Sequence, residues 1–294
     1  MHEQAVEFFR DLQDRICAAL EKVDGGAAFR EDSWQRPGGG GGRTRVIENG
    51  AVFEKGGVNF SEVFGEFSPE FAQQIPGDGL AFTATGVSLV IHPRSPLVPT
   101  VHANFRYLTH GRKAWFGGGG DLTPYYPFKE DVIHFHKVWK RVCEAHANVA
   151  NYAQMKRDCD EYFFLKHRNE ARGVGGIFFD YMDATEAAFA FVRDAANAFL
   201  DAYLPIVERR KQLPYTPEQR FFQEYRRGRY VEFNLIYDRG TVFGLKTDGR
   251  TESILMSLPP VVRYIYDYKP APGTREAELT EYWLKPQDWA TMNE

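Results

Sequence analysis

Between residues 44 and 117 the chain is a succession of short runs in which apolar and polar side chains alternate, the period-two pattern of half-buried strands. Runs at 44–48 and 51–55 flank an Asn49-Gly50 turn, and further runs at 57–64, 80–92, 100–108 and 112–117 predict an antiparallel sheet. The chain opens differently. Val6, Phe9, Ile16, Leu20 and Val23 recur at helical spacing and stop at Gly25-Gly26, which predicts a first helix. Helical periodicity returns over 130–146, 149–166 and 185–211, and Asp183-Ala-Thr-Glu186 and Thr216-Pro-Glu-Gln219 have the spacing of capping boxes. Strand-like runs reappear at 229–237 and 241–247 around an Asp238-Arg-Gly240 turn. Sheet segments on both sides of a helical block predict an α+β fold: one large antiparallel sheet, covered by helices and completed by both ends of the chain. With no linker or repeat, residues 1–294 read as one domain, and 36–43, which hold the Gly38–Gly42 tract, read as a flexible loop.

Two of these runs carry unusual chemistry. Val87-Ser-Leu-Val-Ile-His-Pro93 and Val101-His-Ala-Asn-Phe-Arg106 read as a hairpin, so Ser88, Val90 and His92 share one face of the first strand. His102, Asn104 and Arg106 share one face of the second, while Leu89, Ile91, Val101, Ala103 and Phe105 point to a core. Polar groups of these kinds are costly to cover without partners, and they predict the floor of a polar cavity.

Composition narrows the class. An apolar fraction of 43% with 15% aromatic residues supplies a large core, and a formal charge of −4 gives no basic surplus for nucleic acid. Cys17, Cys143 and Cys159 have neither C-x-x-C nor zinc-finger spacing, which argues for buried thiols in a reducing compartment. No apolar run approaches the roughly 18 residues of a membrane span, and the amphipathic, acidic stretch from Met1 to Val23 is unlike a leader peptide. The expectation is a cytoplasmic protein.

Other candidate groups are scattered. His136 lies on a helical stripe with Val132, Phe135, Trp139 and Cys143, whereas His134 lies about 200° round the same helix, so only His136 is expected to face the core or cavity. A core-edge imidazole bonded to a carbonyl is the plain alternative for it. The segment 167–180 passes from His167, Arg168 and Arg172 through glycines to an apolar run ending at Asp180. Imidazoles from separate elements, His92, His102, His136 and His167, could assemble a divalent-metal site, although no ligand spacing is diagnostic. Neither Gly38–Gly42 nor Gly117–Gly120 continues as a phosphate loop, and both fit better as flaps or as places where backbone approaches a flat ligand. Asp248-Gly249-Arg250, with Arg226, Arg227 and Arg229 before it, suits a ligand bearing several carboxylates.

Taken together, these segments resemble oxygen-dependent coproporphyrinogen III oxidases. The matching stretches are Gly41-Gly-Arg-Thr-Arg-Val46, Val87 to Arg94, Pro99-Thr-Val-His-Ala-Asn-Phe-Arg106, Trp115-Phe-Gly-Gly-Gly-Gly-Asp-Leu-Thr-Pro124, Lys166-His-Arg-Asn-Glu170, Gly173-Val-Gly-Gly-Ile-Phe-Phe-Asp180, and Gly228 to Leu235 through Gly249 to Pro259. They run in family order over most of 41–260. Tyr181 departs from the family, which usually carries a second acidic residue there, leaving Asp180 or Asp183 as the working acid. The resemblance implies oxidative decarboxylation of two propionates of coproporphyrinogen III to vinyl groups by dioxygen. Protoporphyrinogen IX, carbon dioxide and hydrogen peroxide would be released, with no flavin, haem or nicotinamide. It implies His102 as proton donor, Asp180 and Arg172 as further catalytic residues, and Ser88, Asn104, Phe105, Arg106, Asp248, Gly249 and Arg250 as substrate contacts. It also implies a divalent metal such as manganese at His92, His102, His136 and His167 in some members, and a homodimer with contacts in 230–265. The competing readings are a His-rich metal-dependent hydrolase with Glu232 or Asp180 as base, and a non-catalytic tetrapyrrole-binding protein.

Overall fold

The computed structural model describes residues 1–246 and 249–293. In chain order it runs α1 (His2–Asp24), β1 (Arg30–Gln35), β2 (Gly40–Glu48), β3 (Phe53–Glu66), the single turn α2 (Pro69–Ala72), β4 (Ala81–Pro93), β5 (Thr100–His110) and β6 (Lys113–Thr123). Helices α3 (Lys129–Ala145) and α4 (Tyr152–Tyr162) follow, then a small ribbon of β7 (Phe164–Leu165) and β8 (Glu170–Ala171), and β9 (Gly175–Asp183). The remainder is α5 (Glu186–Arg210), α6 (Pro217–Ile236), α7 (Arg239–Lys246), α8 (Thr251–Leu255) and short helical turns. Among the described residues no helix is long and apolar enough to cross a membrane. The α+β expectation holds: β1 to β6 and then β9 form a seven-stranded sheet in that order, every neighbouring pair antiparallel.

The sheet is not completed by both ends of the chain. Of the segments 229–237 and 241–247, expected as strands, 229–236 belong to α6 with Tyr237 as its C-cap, 241–246 belong to α7, and Thr247 lies outside the described residues; β9 from the middle of the chain supplies the last strand. The aromatic and β-branched residues of 229–237 mimic a strand. The Thr216 capping box with Gln219 and Pro217 in the first turn start a helix upstream, and Phe222, Arg226, Tyr230 and Phe233 keep its buried spacing. At α5 the cap is Thr185, whose side chain accepts from the Ala188 amide, rather than the Asp183–Glu186 pair. Gly117–Gly120 is no flap: it lies inside β6, where a Cβ at Gly118 would meet the Asn104 carbonyl at 2.5 Å and one at Gly119 the Ile177 carbonyl at 2.1 Å. Of the expected loop 36–43, Gly40 onward already belongs to β2.

One sheet face packs on α1 and α5. Val87, Leu89, Ile91, Val101, Ala103 and Phe105 bury there with Phe9, Leu12 and Ile16 of α1 and Phe189 and Val192 of α5. Cys17, Cys143 and Cys159 are free and buried. Pro205 inside α5 has no N–H for the Asp201 carbonyl one turn earlier, and His134 Nε2 donates to that oxygen at 2.8 Å. His134 is therefore a tie between α3 and α5.

Asp24 at the end of α1 joins that helix to the sheet. Its Oδ1 accepts from the amides of Gly26, Ala27 and Ala51, and its Oδ2 from those of Val52 and Phe53 at 2.9 and 2.8 Å. Burial alone would raise this carboxyl, and the backbone donors outweigh it and hold it below the usual carboxylate range. Asp24→Asn removes acceptor capacity from these five backbone amides and is expected to cost about 1–3 kcal/mol. A melting temperature several degrees lower at neutral pH checks this. Because the carboxylate form is the stabilised one, the difference from wild type should shrink as pH falls through the carboxylate range.

Candidate active site

Residues directly opposite in an antiparallel sheet share a face, so the register builds the other face row by row. One row is Val46–Gly57–Val90–His102–Asp121–Gly176, and the next is Thr44–Asn59–Ser88–Asn104–Gly119–Phe178. A third is Gly42–Ser61–Gly86–Arg106–Gly117. The polar side chains expected on one face thus stand together, and glycines between them leave stretches of bare backbone suited to a flat ligand. Ser88 and Asn104 are half-buried and make no side-chain hydrogen bond to a described residue, and Asn59 Oδ1 is buried without a partner. Buried polar groups of this kind are rare unless a ligand or water completes them.

His102 is the best-positioned titratable group on this floor. Its Nδ1 bonds Asp121 Oδ1 at 2.9 Å, which leaves Nε2 on the open side without a partner among the described residues. Asp121 is 1% exposed and also takes Arg172, with Nη2 at 2.7 Å from Oδ1 and Nε at 3.2 Å from Oδ2. Burial alone would raise the Asp121 carboxyl; the Arg172 guanidinium, with His102, outweighs it and keeps the group ionised. Arg172 is itself buried, lies over the rings of Phe163, Tyr230 and Phe233, and reaches Asn234 Oδ1 at 3.2 Å. It touches no open surface. Arg172, expected as a catalytic residue, is thus buried behind Asp121, whose carboxylate it shares with His102.

Arg106 lies further along the floor, with Nη2 at 2.8 Å from both oxygens of Asp180. The Arg239 guanidinium reaches the same carboxylate at 3.3 Å. Phe105, expected as a substrate contact, has its side chain in the core on the opposite face and can offer the floor only its backbone.

The roof comes from the segment after α7. Asp248 falls outside the described residues. Gly249 packs against the Gly244 carbonyl, and Arg250 is taken up by Asp32 and by Ser253 Oγ at 2.9 Å. The Ser253 carbonyl accepts from Asn59 Nδ2 at 2.6 Å, and Met256 fills the space over Gly57. A comparison of the whole chain finds that the family model for coproporphyrinogen III oxidase matches residues 4–289 of 294. The chain belongs to that family. It is an oxidoreductase of porphyrin and haem biosynthesis.

In this chain the histidines do not fit a shared metal. Among the described residues no group of three or more His, Cys, Asp or Glu side chains is placed to hold an ion. His92 is fully buried, with Nε2 on the Ser257 carbonyl at 2.8 Å and Nδ1 near Thr100 Oγ1. His136 is buried between the Val174 carbonyl and the Tyr152 hydroxyl, the plain alternative for it rather than a place in the cleft. Burial drives the His136 imidazole down to about 3 and His92 well below its ordinary value, so both are neutral and both spend their one N–H on a carbonyl. His167 bonds Glu232 Oε2 at 2.7 Å and the Tyr237 hydroxyl at 2.9 Å. Glu232 also takes Arg168 and Arg229; burial opposes its ionisation, but these partners hold it down to about 2, so it is no general base near neutrality.

Asp121 and Arg239 are the site residues that sequence reasoning passed over. Asp121 follows the Gly117–Gly120 run, and a strand reading of that run would have put it opposite His102. Asp121→Asn leaves Arg172 buried without its counter-charge and is expected to cost about 3–5 kcal/mol. Denaturant unfolding measures that cost, and Asn234→Ala, which removes only a neutral partner of Arg172, should cost far less.

Proposed function

We propose that this chain oxidatively decarboxylates two propionate side chains of coproporphyrinogen III to vinyl groups, with dioxygen as the oxidant. The observation that carries this reading is the open Nε2 of His102, presented by Asp121 on a glycine-floored cleft that also holds Arg106. For each propionate, the bond to the carboxyl carbon breaks to release carbon dioxide, its electron pair becomes the second bond of the vinyl group, and the methylene attached to the pyrrole gives up a hydrogen with its electron pair. Dioxygen accepts that pair and, with one further proton, leaves as hydrogen peroxide. The products are protoporphyrinogen IX, carbon dioxide and hydrogen peroxide.

The residues divide this work by position. Arg106 pairs with the carboxylate of the reacting side chain, where a guanidinium gives a bidentate geometry that an ammonium cannot. Ser88 and Asn104 supply hydroxyl and amide groups to the macrocycle lying over Gly86 and Gly119. His102 hands over or takes up the proton at Nε2 while Asp121 keeps the ring from turning. No step is routed through a metal. We also propose a homodimer through 230–265, because Leu235, Ile236, Val261 and Tyr264 leave large apolar side chains exposed there.

Purified protein incubated with coproporphyrinogen III in air should yield protoporphyrin fluorescence after oxidation of the product, with two equivalents of carbon dioxide, and should yield neither without dioxygen. Exhaustive chelation should leave at least half of the rate. Equal conversion under strict anaerobiosis, or no conversion in air, would overturn the reading.

A further inference from the structure

Asp180 occupies the place where a substrate carboxylate would be expected to bind. Its carboxylate is 8% exposed, whereas the side chains it holds, Arg106 and Arg239, are 41% and 55% exposed. Both its oxygens take Arg106 Nη2 at 2.8 Å, and Oδ2 takes Arg239 Nη2 at 3.3 Å. Arg106 Nε is buried with no partner among the described residues. Two guanidiniums around one internal carboxylate leave a single positive charge, which matches one further carboxylate.

The backbone is bent to keep this arrangement. Phe116 pairs with Met182 and Gly118 with Phe179, so Asp180 and Tyr181 together stand opposite Gly117 in a bulge. Tyr181 has φ 54°, a left-handed conformation that a residue with a side chain adopts only under constraint. Freed from the ladder, the Tyr181 amide donates to Asp180 Oδ1 at 3.0 Å. Gly117 beneath is equally constrained: a Cβ there would fall 2.7 Å from Asp180 Oδ1 and 2.9 Å from Arg106 Nε, wedging the pair apart. Bulge, left-handed residue and glycine converge on one carboxylate that no ordinary strand would aim this way.

We propose that Asp180 is a positioning residue, whose carboxylate holds Arg106 and Arg239 as one receptor for a single propionate of the substrate. It is not the acid that moves protons. The inference rests on the substrate reading above and assigns Asp180 a role within it. Removing the carboxylate adds net positive charge to the receptor while releasing its geometry, so attraction and orientation change in opposite directions.

The test compares Asp180→Asn and Asp180→Ala with wild type by steady-state kinetics on coproporphyrinogen III and by thermal melting, with and without added formate. Asp180→Asn should melt within a few degrees of wild type and lose at least tenfold in kcat, with KM within threefold. Formate should restore Asp180→Ala several-fold by entering the vacated space between the guanidiniums, and should not restore Asp180→Asn, where the amide fills it. Unchanged kcat in Asp180→Asn beside an active wild type would overturn this inference alone. So would losses that track melting temperature in both variants with no response to formate. A wild type that converts nothing would remove the substrate reading and this inference with it.

Discussion

The ion pair between Asp121 and Arg172 is the constraint on which the site depends. Both groups are withdrawn from water, and such a pair stabilises only when each partner's remaining hydrogen-bonding capacity is used. Here it is: Asp121 takes His102 as well as the guanidinium, and Arg172 lies over the ring of Phe163, just past α4, and that of Phe233 in α6, with Asn234 at one edge. One buried charge pair thereby locks the end of β6 to the segment after α4 and to α6. The orientation of His102 is a by-product of that lock, which is why a half-buried imidazole can be held with no partner on its far side among the described residues.

The rest of the floor shows the opposite economy. Asn59 Oδ1 and Arg106 Nε are buried without a partner among the described residues, and the glycine positions give up side-chain packing. The opposite face, packed on α1 and α5, supplies the stability that lets this face stay unsatisfied. Tyr181 belongs to the same pattern, since its strained backbone sits where the carboxylate of Asp180 must be aimed.

Much of this was legible in the sequence, for definable reasons. Period-two alternation decided which side chains of 87–106 share a face, whereas the register that sets Ser88 opposite Asn104 and Val90 opposite His102 is seen only in the structure. The failures also have causes. Residues 229–237 carry strand-like side chains, and only the upstream cap at Thr216 and the helical spacing that follows decide for helix. The run Gly117–Gly120 lacks side-chain pattern altogether, so its place in β6, and with it the position of Asp121, depends on neighbours far away in sequence. His92, His136 and His167 have the composition of a metal site, yet each is matched to a carbonyl, hydroxyl or carboxylate that no spacing along the chain reveals. The burial of Arg172 was hidden for the same reason: charge is visible in a sequence and burial is not.

The central claim is that His102, presented by Asp121, handles the proton in the cleft. The direct test is the turnover of His102→Ala in air, followed by protoporphyrin formation, in protein whose melting temperature matches wild type. The account predicts a loss of about a hundredfold or more, the scale of a positioned acid–base group. Turnover within threefold of wild type would contradict it.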